Sequence, residues 1–128
     1  MSVSIEVKGI KELFDKLGSF DAINVLEDPM NRAVLRLESR MKVYPPTRPN
    51  QRYVRTGTLG RRFTHEVTRQ SNGLIGKVGN NTVYAPFVVS KQFQRTLFRG
   101  RWQTDLDVLE SEKDVILRDF EKAIAEAI

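Results

Sequence analysis

The residues with most reach for chemistry lie between Tyr44 and Phe63, in YPPTRPNQRYVRTGTLGRRF. Prolines and arginines crowd this stretch, and it holds no acid. Its end, RTGTLGRR, invites comparison with a phosphate-cradling loop, where a helix N-terminus faces the anion. The spacing argues otherwise. Such a loop needs glycine, four residues, glycine, lysine and then a hydroxyl residue, set between a strand and a helix. Here Gly57 and Gly60 are three apart, Arg61 follows, and a strand is expected next. These glycines read as a turn entering a hairpin.

A catalytic reading has little else to draw on. His65 is the only histidine, so any Ser-His or metal-His arrangement would rest on it. It sits between Phe63 and Val67 in a strand pattern, where a strand-surface or half-buried histidine is the plainer account. The chain has no cysteine, hence neither a disulfide framework nor a thiolate metal site, which fits a reducing compartment. No helical His-Glu-His motif and no calcium loop occurs. The residues therefore predict no enzyme, no cofactor and no metal. The enzymatic alternative is a small basic ribonuclease using His65 and arginines.

Charge is distributed unevenly. From Arg32 to Arg62 nine cations face one acid, Glu38, and from Lys91 to Arg101 four more cations face none. From Trp102 to Ile128 eight acids face three cations. A basic middle and an acidic end suit two arrangements: the middle meets DNA, or the basic part of one copy meets the acidic part of the next. Arg36, Arg40, Arg48, Arg61 and Arg62 are the candidates to face a DNA channel or an acidic partner. With Tyr44, Tyr53 and Phe63 interleaved, the same arginines suit a DNA- or RNA-binding module, although no helix-turn-helix, zinc finger or RNA-binding sheet signature is present.

These residues must be positioned by elements that the hydrophobic pattern outlines. Val3, Ile5 and Val7 alternate, predicting a strand. Ile10, Leu13, Phe14 and Leu17 share one face of a short helix, with Gly18 as its stop. Asp28 as cap and Pro29 at the first position predict the start of a second helix, with Met30, Ala33, Val34, Leu37 and Met41 as its apolar stripe. Arg32, Arg36 and Arg40 line another face, and Pro45 and Pro46 end the helix near Val43. A long basic loop over 44–58 leads into a hairpin from Leu59 to Gly79, turned at Ser71-Asn72-Gly73. NNTVYAPFVVS, starting at Asn80, is a short helix or strand. Thr104 with Asp107 and Ser111 with Asp114 form two capping boxes, predicting a short turn and then a main helix from about Glu112. Its apolar face is Val115, Ile116, Phe120, Ala123, Ile124 and Ala127. The result is one α+β domain over 1–128: a small antiparallel sheet with a long β-hairpin, packed by N-terminal helices and a C-terminal helix. No apolar run approaches the ~18 residues of a membrane span, and no secretory signal is expected.

Trp102, the only tryptophan, follows Arg99, Gly100 and Arg101. It reads equally as an anchor of the last helix to the sheet or as an interface anchor. Taken in order, VKGIKELFDKL, AVLRLESRMKVYPP, RTGTLGRRF, IGKVGNNTVYAPFV and the acidic last helix resemble the phage tail-component family of small neck proteins, over nearly the whole chain. The segment VVSKQFQRTLFRGRWQT departs from it, since many members carry an acidic Glu-Gly-Thr after the Tyr-Ala segment.

The resemblance implies a non-enzymatic virion protein, assembled in the host cytoplasm. Such a protein forms a ring of six copies, or twelve, in the neck or at the head-proximal end of the tail, as a tail-completion or head–tail joining component. Its neighbours would be connector or tail-tube proteins, with non-specific contact to genomic DNA and no membrane. Tyr44, Arg52, Tyr53, Arg55, Arg99, Arg101 and Trp102 are then the candidate subunit or ring contacts, the first four on an arm formed by the 44–58 loop.

Overall fold

Alternation in three segments builds the sheet of this α+β chain. In the computed structural model, which describes residues 2–8, 22–46, 57–70 and 73–127, β1 is Ser2–Lys8, β2 is Phe63–Gln70 and β3 is Gly73–Asn80. Their order is β1-β3-β2, antiparallel throughout, so the hairpin's return strand is central. The register places Ile5 and Val67 on either side of Gly76, and Leu74 and Val78 on the same face. That face is apolar and covered at its centre, and carries exposed His65 and Arg69 along the outer strand β2. The other carries Ser4, Glu6, Thr64, Glu66, Thr68 and Lys77, all exposed.

Helix α1, Ala22–Met41, lies across β2 and β3. Leu26, Met30, Ala33, Val34, Leu37 and Met41 are its buried stripe. The close fit depends on Gly76. A Cβ added there would come within 2.6 Å of both Met30 Sδ and Val34 Cγ1, so glycine sets how near α1 approaches the sheet. The last helix, α4 (Asp105–Ala127, numbered after α2 and α3 below), packs beside α1, with Val108 and Ile116 buried and Leu109, Phe120 and Ile124 lining the core edge.

Several expectations change. Asp28 and Pro29 do not start a helix: α1 already runs from Ala22, and Pro29 is inside it. Proline there has no N–H to offer the Val25 carbonyl, and its side chain is completely buried. The hairpin begins at Phe63 rather than Leu59, because Thr58–Arg61 form a single helical turn, α2, entered through Gly57 at φ 78°. Leu59 is buried under that turn, and its carbonyl accepts a 2.8 Å bond from Asn80 Nδ2. The apolar stretch after Asn80 is a helix, α3, Ala85–Val89.

The last helix is one element, not a turn followed by a helix. The Thr104–Asp107 box forms as expected, with reciprocal bonds of 3.0 and 3.2 Å. The second box does not, since Ser111 Oγ donates to the Val108 carbonyl inside the continuous helix. Val115, expected in the apolar face, is exposed, and Glu112 takes a buried position instead. The helix expected over 10–17 and loop residues 47–56, including Arg48, Arg52, Tyr53 and Arg55, lie outside the described residues.

Candidate functional site

The spacing of four that aligns Arg32, Arg36 and Arg40 points them at α4. Arg32 clamps Asp119 with two bonds, Nε to Oδ2 at 2.7 Å and Nη2 to Oδ1 at 3.0 Å. Arg36 Nε donates to Glu112 Oε2, and Arg40 Nη1 stands 3.5 Å from Glu112 Oε1. Arginine number rises as acid number falls, so the two helices run antiparallel. The Asp119 hydrogen bond raises the Arg32 guanidinium pKa further. Two of the candidates for a DNA channel or an acidic partner, Arg36 and Arg40, thus find their acid within the same chain.

The end of α1 meets the start of α4 in an aromatic joint. Tyr44 and Trp102 rings are 5.2 Å apart and tilted, and Phe98 stands edge-on to Trp102 at 6.4 Å. Tyr44 Oη accepts from Gly60 N at 2.9 Å, which ties α2 to the same joint. Arg101 Nη2 donates to the Pro46 carbonyl at 3.1 Å, and Gln103 Nε2 to the Arg40 carbonyl at 2.6 Å. Buried Gln94 bonds the carbonyls of Val88 and Trp102, at 2.7 and 3.0 Å. Tyr44, Arg101 and Trp102, three of the candidate ring contacts, therefore make contacts within the chain, and the ring partners of Trp102 join the start of α4 to the end of α1 rather than to the sheet.

His65 acquires a partner that the sequence alone does not offer. Its Nδ1 bonds Glu38 Oε2, and Glu38 also takes Lys42 Nζ at 2.9 Å. Burial pushes the Glu38 carboxyl up, but the hydrogen bonds and charges of Lys42 and His65 outweigh it and hold it below the usual value. The group joins β2 to α1. The two clefts of the surface described below do not include it. Among the described residues, no group of three His, Asp or Glu side chains is placed to hold a metal ion, and no helix is long and apolar enough to cross a membrane.

Among the described residues, two outward surfaces carry candidate residues or clefts. Arg61 and Arg62 are exposed and border a cleft of about 470 Å³ with Thr58, Thr64 and Asn81. Arg61 also reaches Thr58 Oγ1 at 3.5 Å. The second surface is the segment from Val83 to Arg99. Val83 is 88% exposed, Leu97 66% and Phe93 55%, with Tyr84 and Phe87 also open. The Arg95 guanidinium lies 4.8 Å over the Phe87 ring, and Arg95 N donates to the Phe87 carbonyl at 2.8 Å, bringing α3 and the 96–98 turn together. Lys91 and Arg99 are exposed beside them, at a cleft of about 550 Å³ that Trp102 and Asp107 also line. Of the described candidate ring contacts, Arg99 lies in this segment, and Arg101 and Trp102 line the cleft beside it.

The apolar part of this surface was missed, although a signal existed. Read with a period of 3.6, Val83 and Phe87 fall on one side of the segment, and Ala85, Val88 and Val89 on the other. The second set is buried and the first is not.

Comparison with family models, with curated proteins and with solved structures yields no significant match to this chain.

Proposed function

We propose that the chain is a structural virion protein of a tailed phage or prophage, a ring subunit of the neck or of the head-proximal end of the tail. The motif order described above supports the class. The observation that carries an assembly role is the segment 83–99, where five large apolar side chains and three cations stand exposed beside the buried core of the described residues. Aromatics and arginines are the residue types enriched at the centre of protein contacts, and large exposed apolar patches mark interaction sites. The reading is tested by native mass spectrometry and negative-stain imaging of the purified protein. Closed rings of six or twelve are expected; a chain that stays monomeric at high concentration, alone and with virion neck components, would sink it.

A second reading, a nucleic-acid-binding module, draws support from exposed Arg61 and Arg62 at their cleft. It is weakened by the engagement of Arg36 and Arg40 with Glu112. It requires that the free chain bind duplex DNA with an affinity that falls steeply with salt. Ring assembly in the absence of DNA would count against it as the primary role.

A further inference from the structure

Helix α4 has a second face that the fold leaves unused. Glu112, Ile116 and Asp119 point toward α1 and the core. Leu106, Glu110, Asp114, Leu117 and Glu121 recur at spacings of four, four, three and four, which places them along the opposite side of the helix. All five are exposed, with Leu106 at 52% and Leu117 at 49%. This stripe runs for roughly 22 Å of helix axis at about 1.5 Å per residue. It combines leucines with three carboxylates. The segment 83–99 combines apolar side chains with three cations, Lys91, Arg95 and Arg99.

Among the described residues no ion pair joins the two surfaces, and none engages any of these six charges. The arginines of α1 that face α4 are matched to Glu112 and Asp119, and Lys113 and Arg118 flank the stripe on α4 itself without forming an ion pair with it among the described residues. Both surfaces therefore present apolar side chains to solvent, and the charges chosen for comparison on them are opposite in sign.

We propose that the partner of the 83–99 surface is the outer stripe of α4 on a second copy of this chain, in a head-to-tail contact. This rests on the ring reading and names the two faces that meet. Apolar side chains supply the contact area, and the charges set orientation and exclude wrong docking. A contact between two different faces propagates from copy to copy, and closes a ring when the rotation allows it.

The test uses the full chain in three forms. One carries Phe87→Ser and Leu97→Ser, which removes the apolar half of one face. Another carries Leu106→Ser and Leu117→Ser, which does the same to the stripe. Unchanged circular dichroism and melting of each variant show that its fold is kept. By native mass spectrometry the unaltered chain is expected as a multimer. Each variant alone should be monomeric, with at least a tenfold weaker self-association. An equimolar mixture of the two should give a one-to-one heterodimer and nothing larger, because one intact pair of faces remains.

Multimers that persist in either variant overturn the assignment of faces and leave the ring reading standing. An unaltered chain that stops at a closed dimer, with both variants monomeric, supports the faces and overturns the ring. A mixture that stays monomeric overturns the pairing.

Discussion

Two parts of this molecule use the same residue types to opposite ends. Along the seam between α1 and α4, Arg32, Arg36 and Arg40 meet Asp119 and Glu112, and every one of these charges is matched within the chain. In the segment 83–99, Lys91, Arg95 and Arg99 stand beside Phe87, Phe93 and Leu97, and these cations make no ion pair among the described residues. The first region spends its charge on cohesion. The second presents it. An arginine says little about function until its neighbours are known; what distinguishes the two regions is whether an ion pair forms once the helices have packed.

That contrast can be broken at several points. The largest effect is expected where α1 rests on the sheet, at Gly76. Gly76→Val would force a side chain into Met30 and Val34, which already crowd a single Cβ, and should cost about 3 kcal/mol or prevent folding. Urea denaturation measures it.

Next comes the seam itself. Glu112→Ala should destabilise by about 2 kcal/mol, since it removes a buried hydrogen-bonding carboxylate from Arg36 and Arg40, whereas Glu110→Ala, two residues away on the outer stripe, should stay within about 0.5 kcal/mol. Equal losses for the two would erase the distinction between the faces.

Acid should act more gently and in one direction. Asp107 is held below its usual range by the backbone and hydroxyl hydrogen bonds of Thr104, and Glu38 by Lys42 and His65 against the opposing effect of burial. Both carboxylates bind protons more readily in the unfolded chain. Their contribution is complete above a pH of about 4.5 and is lost as pH falls through their lowered folded values. Melting followed from pH 6 down to pH 3 should show this decline, and Thr104→Ala, which removes the hydroxyl bond to Asp107, should reduce it.

The smallest change in stability is expected at the presenting surface. Leu97→Ser should shift the free energy of unfolding by less than about 0.5 kcal/mol, because the side chain is mostly in water already. A substantial loss on thermal melting would mean that the segment serves the fold rather than a partner.

Much of the fold was legible. The alternation of Val3, Ile5 and Val7 predicts β1, the Asn72-Gly73 pair between alternating runs predicts the hairpin, and Thr104 with Asp107 predicts where α4 begins. The misreadings share a cause. Asp28-Pro29 and Ser111-Asp114 are good local starting signals, and both sit inside longer helices, because burying the apolar residues on either side (Leu26 and Met30, Val108 and Ile116) stabilises a continuous helix more than a cap stabilises a new start. The candidate surface was less legible. Trp102 and Tyr44 drew attention as aromatics among arginines, yet their rings face each other. Val83, Phe87 and Leu97 read as ordinary apolar residues, and only their failure to enter the core singles them out.

Sequence by itself determined the class of this chain: period-two and period-3.6 patterns are local properties, and they suffice to specify strands, helices and an α+β arrangement. It also determined that charge is divided between a basic middle and an acidic end. Only the tertiary structure decided which of those charges are used up. Whether Glu112 faces Arg36 or water, and whether His65 has a carboxylate, depends on how α4 and β2 lie against α1, a pairing across 76 residues in the first case and 27 in the second. Electrostatic partners are chosen by distance in space, and no pattern along the chain encodes that distance.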